Sequence, residues 1–150
     1  MAKPRRLVSG LSVLGLSLFV LTGCAVPGGY DVNSLHLLPE SALVYRGSTG
    51  VDPYDYNGRP GNYVSKGAVA VIGTSATTID TQLEVLAYFS QTLAADGWMK
   101  IGENDRGTTA EGIPSKDIAW VKNSLRLSYL VVVWTVGGTT HYDTQLSANE

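Results

Sequence analysis

The apolar positions of this chain change their rhythm along its length, and the rhythm predicts the elements. Between residues 7 and 21 they are almost continuous, broken only by Ser and Gly. Further on, Ile79, Leu83, Leu86, Phe89 and Leu93 recur every three or four positions. That spacing predicts a helix over residues 79–96 with those five side chains on its buried face. Thr81 followed by Glu84 fits a capping box, with Thr77 and Thr78 as competing caps, and Gly97 supplies a left-handed stop. Elsewhere the runs are short or alternate with period two, predicting strands over 41–46, 67–74, 98–103, 117–122, 125–136 and 139–147. The 67–74 and 131–134 runs are apolar on both faces, which places them inside a sheet rather than at its edge. In the last strand Tyr142, Thr144 and Leu146 alternate with a more exposed set, His141, Asp143 and Gln145.

Segments 47–66 and 104–116 keep no period and are rich in Gly, Asp and other turn formers, so both are expected to be loops. Asn123-Ser124 and Gly137-Gly138 read as two-residue hairpin turns. The sum is an α+β fold: a mostly antiparallel sheet of five to six strands with one long helix packed on one face.

The apolar run near the N-terminus has a different meaning. It follows a basic start, Lys3, Arg5 and Arg6, and ends at Leu21-Thr22-Gly23-Cys24. About 20 apolar residues are needed to cross a bilayer, and this run matches a secretion signal instead. The four-residue ending resembles the lipobox of bacterial lipoproteins: a long aliphatic, a small residue, Gly or Ala, then Cys. The resemblance implies a signal peptide over 1–23, cleavage between Gly23 and Cys24, and a diacylglyceryl group on the Cys24 sulfur. One acyl chain binds a membrane reversibly and two hold it stably, so the expected partner of this end is the membrane, through the lipid. Residues 24–39 then read as the lipidated Cys and a tether, with Pro27, Gly28 and Gly29 breaking regular structure. Leu35, Leu37 and Leu38 are more apolar than a tether requires, so its end is expected to pack on the folded domain over 40–150.

Charge and cysteine content narrow the function. Three of the eleven basic residues lie in the leader, which leaves eight against thirteen acidic ones and a net charge of −5. Nucleic-acid binding needs clustered Lys and Arg to displace counterions and is not expected. Cys24 is the only cysteine, so the folded part has neither disulfides nor a thiolate nucleophile.

The domain also resembles a group of small lipoproteins of high-GC Gram-positive bacteria. The likeness runs over about 110 residues, from Pro39 and Ser41 through Tyr45, Gly97-Trp98 at the helix end and Trp120 on a later strand. It implies a location and a fold and carries no activity.

Motifs for chemistry are scarce. His36 and His141 are the only histidines, one in the tether and one on the last strand, too few for a zinc site without further ligands. Setting Gly58 as the glycine of a calcium loop puts Pro53 and Val64 where acidic ligands are required. Gly47-Ser48-Thr49-Gly50 lacks the Lys of a phosphate loop, and no Ser sits in Gly-x-Ser-x-Gly. No metal or cofactor is expected. Tyr54, Tyr56 and Tyr63 crowd one polar segment beside Arg59, a mixture that binding loops favour. The expected function is a membrane-anchored, extracytoplasmic binding module that contacts an envelope protein or cell-wall ligand, with a small surface hydrolase as the alternative.

Overall fold

The computed structural model describes residues 30–57 and 68–149. Gly23, Cys24, Arg59 and Tyr63 lie outside the described residues. Six strands form one sheet: β1 (Thr49–Asn57), β2 (Ala68–Thr78), β3 (Met99–Thr108), β4 (Pro114–Lys122), β5 (Leu127–Val136) and β6 (Thr139–Asn149). Their order is β1-β2-β6-β5-β4-β3, and every neighbouring pair is antiparallel. Among the described residues two α-helices accompany them, α1 (Val32–His36) and α2 (Gln82–Ala95). Among the described residues no helix is long and apolar enough to cross a membrane.

Local chemistry explains most of these boundaries. The Thr81 side chain accepts from the Glu84 amide while the Glu84 carboxylate accepts from the Thr81 amide, so the capping box opens α2 three residues later than the expected start. Gly97 ends it at φ +80°, which only glycine adopts without strain. Gly137 and Gly138 both take positive φ and join β5 to β6 in the tight turn their sequence predicts.

Period two then sorts the sheet. Ile72, Ala76, Ile118, Trp120, Tyr129, Val131, Val133, Tyr142 and Leu146 share one face and belong to a single buried cluster with Val85, Leu86, Phe89 and Leu93 of α2. Phe89 stands 5.6 Å from the Tyr142 ring and 6.3 Å from that of Tyr129. Val32 and Leu35 of α1 join the same cluster, with Tyr30 and Leu38 packed against it, so the packing expected of the tether's end is found, and Asp31 and Ser34 cap the helix. Leu37, by contrast, is exposed.

Several expectations are corrected. The segment 47–66 is not a loop at its start, because β1 occupies Thr49–Asn57. β1 is an edge strand, where Pro53 needs no ladder partner and polar side chains stay wet on either face, so no apolar period marks it. The segment 104–116 is mostly strand for the same reason, since the edge strand β3 runs on to Thr108. Residues 41–46 form no strand: Pro39–Ala42 is a 3-10 turn started by Pro39, and the chain then runs extended into the sheet without pairing. The Asn123-Ser124 turn is longer than two residues, with a 3-10 turn over Asn123–Leu125 and Arg126 in the left-handed region at φ 53°. On α2 the buried face is Val85, Leu86, Phe89 and Leu93, while Ile79 and Leu83 are 91% and 75% exposed. At about 100° per residue, Leu83 falls well off the centre of that face, and Ile79 precedes the helix altogether.

The N-terminal wrap is tied down by one buried carboxylate. Glu40 is 3% exposed, and its Oε1 accepts from Trp98 Nε1 and from Lys122 Nζ, each at 2.9 Å. Lys122 also sits over the Trp98 ring, 5.5 Å from its centroid. Burial acts to raise the Glu40 carboxyl, but the indole and ammonium donors outweigh it and hold the group below its ordinary value. The stability this supplies is present above the ordinary carboxylate range and is lost as pH falls through the lower folded value. Glu40→Ala should cost about 2–3 kcal/mol, since a buried indole N–H loses its acceptor while Lys122 can turn to water. Urea unfolding at pH 7 and at pH 3 checks both statements. The gap between the parent and Glu40→Gln should be wide at pH 7 and shrink at pH 3.

Candidate functional site

The other face of the sheet carries a different kind of residue, brought together by register. Asp52 pairs with Ser75, Ser75 with Asp143, and Asp143 with Val132. In the adjoining row Thr77 pairs with His141 and His141 with Trp134. These side chains point away from Tyr142 and Val133, and neither described helix lies on their side. Trp134, His141, Asp143 and Ser75 are each half-buried, while Asp52 at the sheet edge is exposed.

Together they line an open cleft of about 350 Å³. One wall is aromatic: the Trp134 and His141 rings stack 5.6 Å apart with planes 15° from parallel. The floor is polar, with Ser75 and Thr77 on β2. The carboxylates stand on either side of Ser75, on strands β1 and β6 that both flank β2. At the usual strand spacing their backbones are about 10 Å apart. Burial raises the Asp143 carboxyl above its ordinary value, and Ser75 and His141 draw it part of the way back.

The cleft contains a Ser, a His and an Asp, but not as a triad. A triad needs the imidazole bonded to the hydroxyl on one side and to the carboxylate on the other. Here Ser75 and Asp143 are cross-strand neighbours, His141 lies flat on Trp134, and among the described residues no hydrogen bond joins His141 to a hydroxyl or a carboxylate. Nor do the donors converge on one point: among the described residues no three His, Asp or Glu side chains gather as a metal site.

The tyrosines of the expected binding loop have a structural use as well. Tyr54 sits on β1 opposite Gly73 of β2, on the cleft side of the sheet. Its ring crosses β2 over Gly73, and its hydroxyl donates to the Thr144 carbonyl of β6 at 2.9 Å. A Cβ on Gly73 would fall inside contact distance of the Tyr54 ring and of the Thr144 carbonyl, so glycine is required for this crossing. Tyr56 lies 5.8 Å from the Tyr54 ring and is 40% exposed. His36 ends α1 on the helix face of the sheet, away from the cleft, 3.7 Å from Asp55.

Sequence reasoning did not find Asp52, Ser75, Trp134 or Asp143 as a group. The alternation of the last strand does place His141 and Asp143 on one face, but the partners on β1, β2 and β5 follow only from register.

Gly73→Ala should lower stability by about 2 kcal/mol or more, because backbone as well as side chain must move to admit the methyl group. Tyr54→Phe removes only the hydrogen bond and should cost about 1 kcal/mol. Equal stability of Gly73→Ala and the parent in urea would contradict the crossing. Comparison with protein-family models, with curated proteins and with solved structures finds no match for this chain.

Proposed function

We propose that the chain is an envelope lipoprotein that binds rather than catalyses. In this reading the signal peptide ends at Gly23, and Cys24 carries the acyl chains that hold the protein at the extracellular face of the cell membrane. The domain is then an α+β unit in which the one long helix covers one face of the sheet. The opposite face meets an envelope protein or a cell-wall ligand.

The observation that carries the binding reading is the open cleft, which combines an aromatic wall with two carboxylates and, among the described residues, links no nucleophile to a base. The sheet edges support it indirectly. β3 departs from register twice and exposes Lys100, Glu103, Asp105 and Arg106. β1 departs from register once, between Thr49 and Asp52, and carries Pro53. Bulges, charges and Pro all discourage another strand from adding at an edge, which leaves the face as the contact surface.

A photo-crosslinking residue placed in the full chain, in the cells that make it, tests this. From position 132 beside the cleft it should trap a discrete partner, and from position 87 on the exposed side of α2 it should not. Equal trapping from both positions would remove the open face from the reading. Cys24→Ala should abolish labelling by a radioactive fatty acid, and persistent label would remove the anchor. A hydrolytic turnover lost in His141→Ala would replace the binding module by the hydrolase.

A further inference from the structure

We propose that the Asp52–Asp143 cleft receives an organic ammonium group, with the carbon chain that bears it lying along Trp134. This deepens the binding reading and rests on it.

Charge is the first reason. Among the described residues neither Asp52 nor Asp143 has a Lys or Arg partner: the ion pairs join His36 to Asp55, Lys100 to Glu103, Lys116 to Asp105 and Lys122 to Glu40. Among the described residues no Lys or Arg lines the cleft. A carboxylate that is half-buried and unpaired is disfavoured in its ionised form, and Asp143 bears that cost in the raised acidity range burial gives it. Nothing in the packing of the inner face needs Asp143 charged, since it points the other way. A cation supplied from outside would remove the cost.

Geometry is the second reason, and it selects the kind of cation. Asp52, His141 and Asp143 line one cleft, and among the described residues no three such side chains gather as a metal site. The carboxylates flank Ser75, so an ammonium placed above Ser75 stands in the field of both and can donate to the hydroxyl. The third reason is the stacked Trp134–His141 pair, one row along the sheet from Asp143, which offers an apolar surface for a carbon chain. A methylene chain ending in an ammonium meets all three. Free diamines and the lysine side chain of a peptide share that chemistry.

The test follows the indole N–H resonance of Trp134 in the full chain held in non-ionic detergent. 1,5-Diaminopentane and acetyl-lysine amide are the two probes, with 1,5-pentanediol as the uncharged control. At least one amine should shift the Trp134 signal saturably, with the diol leaving it in place. Binding by the diamine alone indicates a free amine as the natural ligand, and binding by the lysine amide indicates a peptide. Asp52→Asn and Asp143→Asn should each weaken the amine about tenfold, roughly the loss of one charged contact. Asp52 is exposed and its variant keeps the fold, so a failure of Asp143→Asn to fold leaves the test intact. An equal response to the diol, or unchanged affinity in Asp52→Asn, would overturn the proposal. So would silence from both amines. If crosslinking from position 132 still succeeds in that case, the ligand class alone is wrong. If crosslinking fails too, the binding face falls with it.

Discussion

A β-strand offers its side chains alternately to two sides, and a six-stranded sheet therefore has two faces to reconcile with water. The described part of this chain places its helices on one of them. Everything else follows from that division. The large apolar residues in phase with Tyr142 lock against α2, while the opposite phase mixes buried Val71 and Gln145 with half-buried Ser75, Trp134, His141 and Asp143. A slip of β6 by one residue would exchange the two sets, driving His141 and Asp143 under Phe89 and lifting Tyr142 and Leu146 into solvent. The Gly137-Gly138 turn fixes β6 against β5, and the ring of Tyr54 reaching Thr144 across Gly73 fixes β1 and β2 against β6. Turn chemistry and close approach thus enforce the phase that hydrophobic burial prefers.

The two faces also differ in how their polar groups are satisfied. On the helix side the buried Tyr142 hydroxyl accepts from the Tyr45 amide at 3.0 Å and shares a bond with Ser48 at 2.8 Å. Tyr45 in turn donates to Asp80 at 2.8 Å, and Glu40 serves Trp98 and Lys122. The N-terminal wrap therefore acts as a polar clamp over an apolar core, with each buried group of the clamp paired. On the opposite face, among the described residues, the Oε1 atom of Gln145 is buried without a partner and Asp143 lacks a Lys or Arg partner. Costs of this kind add to stability nowhere, and they concentrate on the side without a helix.

Much of the inner face could be read from the sequence because its signals are local. The Thr81–Glu84 box, the Gly97 stop, the Gly137-Gly138 turn and the alternation through Tyr142, Thr144 and Leu146 each act within a few residues. β1 could not be read, since an edge strand with Pro53 and polar residues on both sides lacks the pattern that burial imposes. The 41–46 segment misled in the opposite sense: Leu43, Val44 and Tyr45 have strand-forming side chains but are held by the clamp and not by a ladder. Ile79 and Leu83 fit the helical period and yet lie outside the packed face, because the capping box starts α2 beyond Ile79. The cleft was illegible for a different reason. It depends on which residue of β2 meets which residue of β6, and those strands are separated by the whole of α2 and three other strands.

Selection for stability alone would treat the two faces alike, and here it has not. A buried tyrosine network that satisfies each hydroxyl and a half-buried carboxylate without a cation occur on the same strand, at adjacent positions, Tyr142 and Asp143. They experience the same backbone and the same register, so the contrast comes from what each side must do. The inner side must exclude water, and paired polar groups are compatible with that. The outer side keeps a charge that the fold itself does not need, next to an indole wall and between blunted edges. A group kept against its own solvation, within a cavity, is the ground on which we propose a contact made outside the chain.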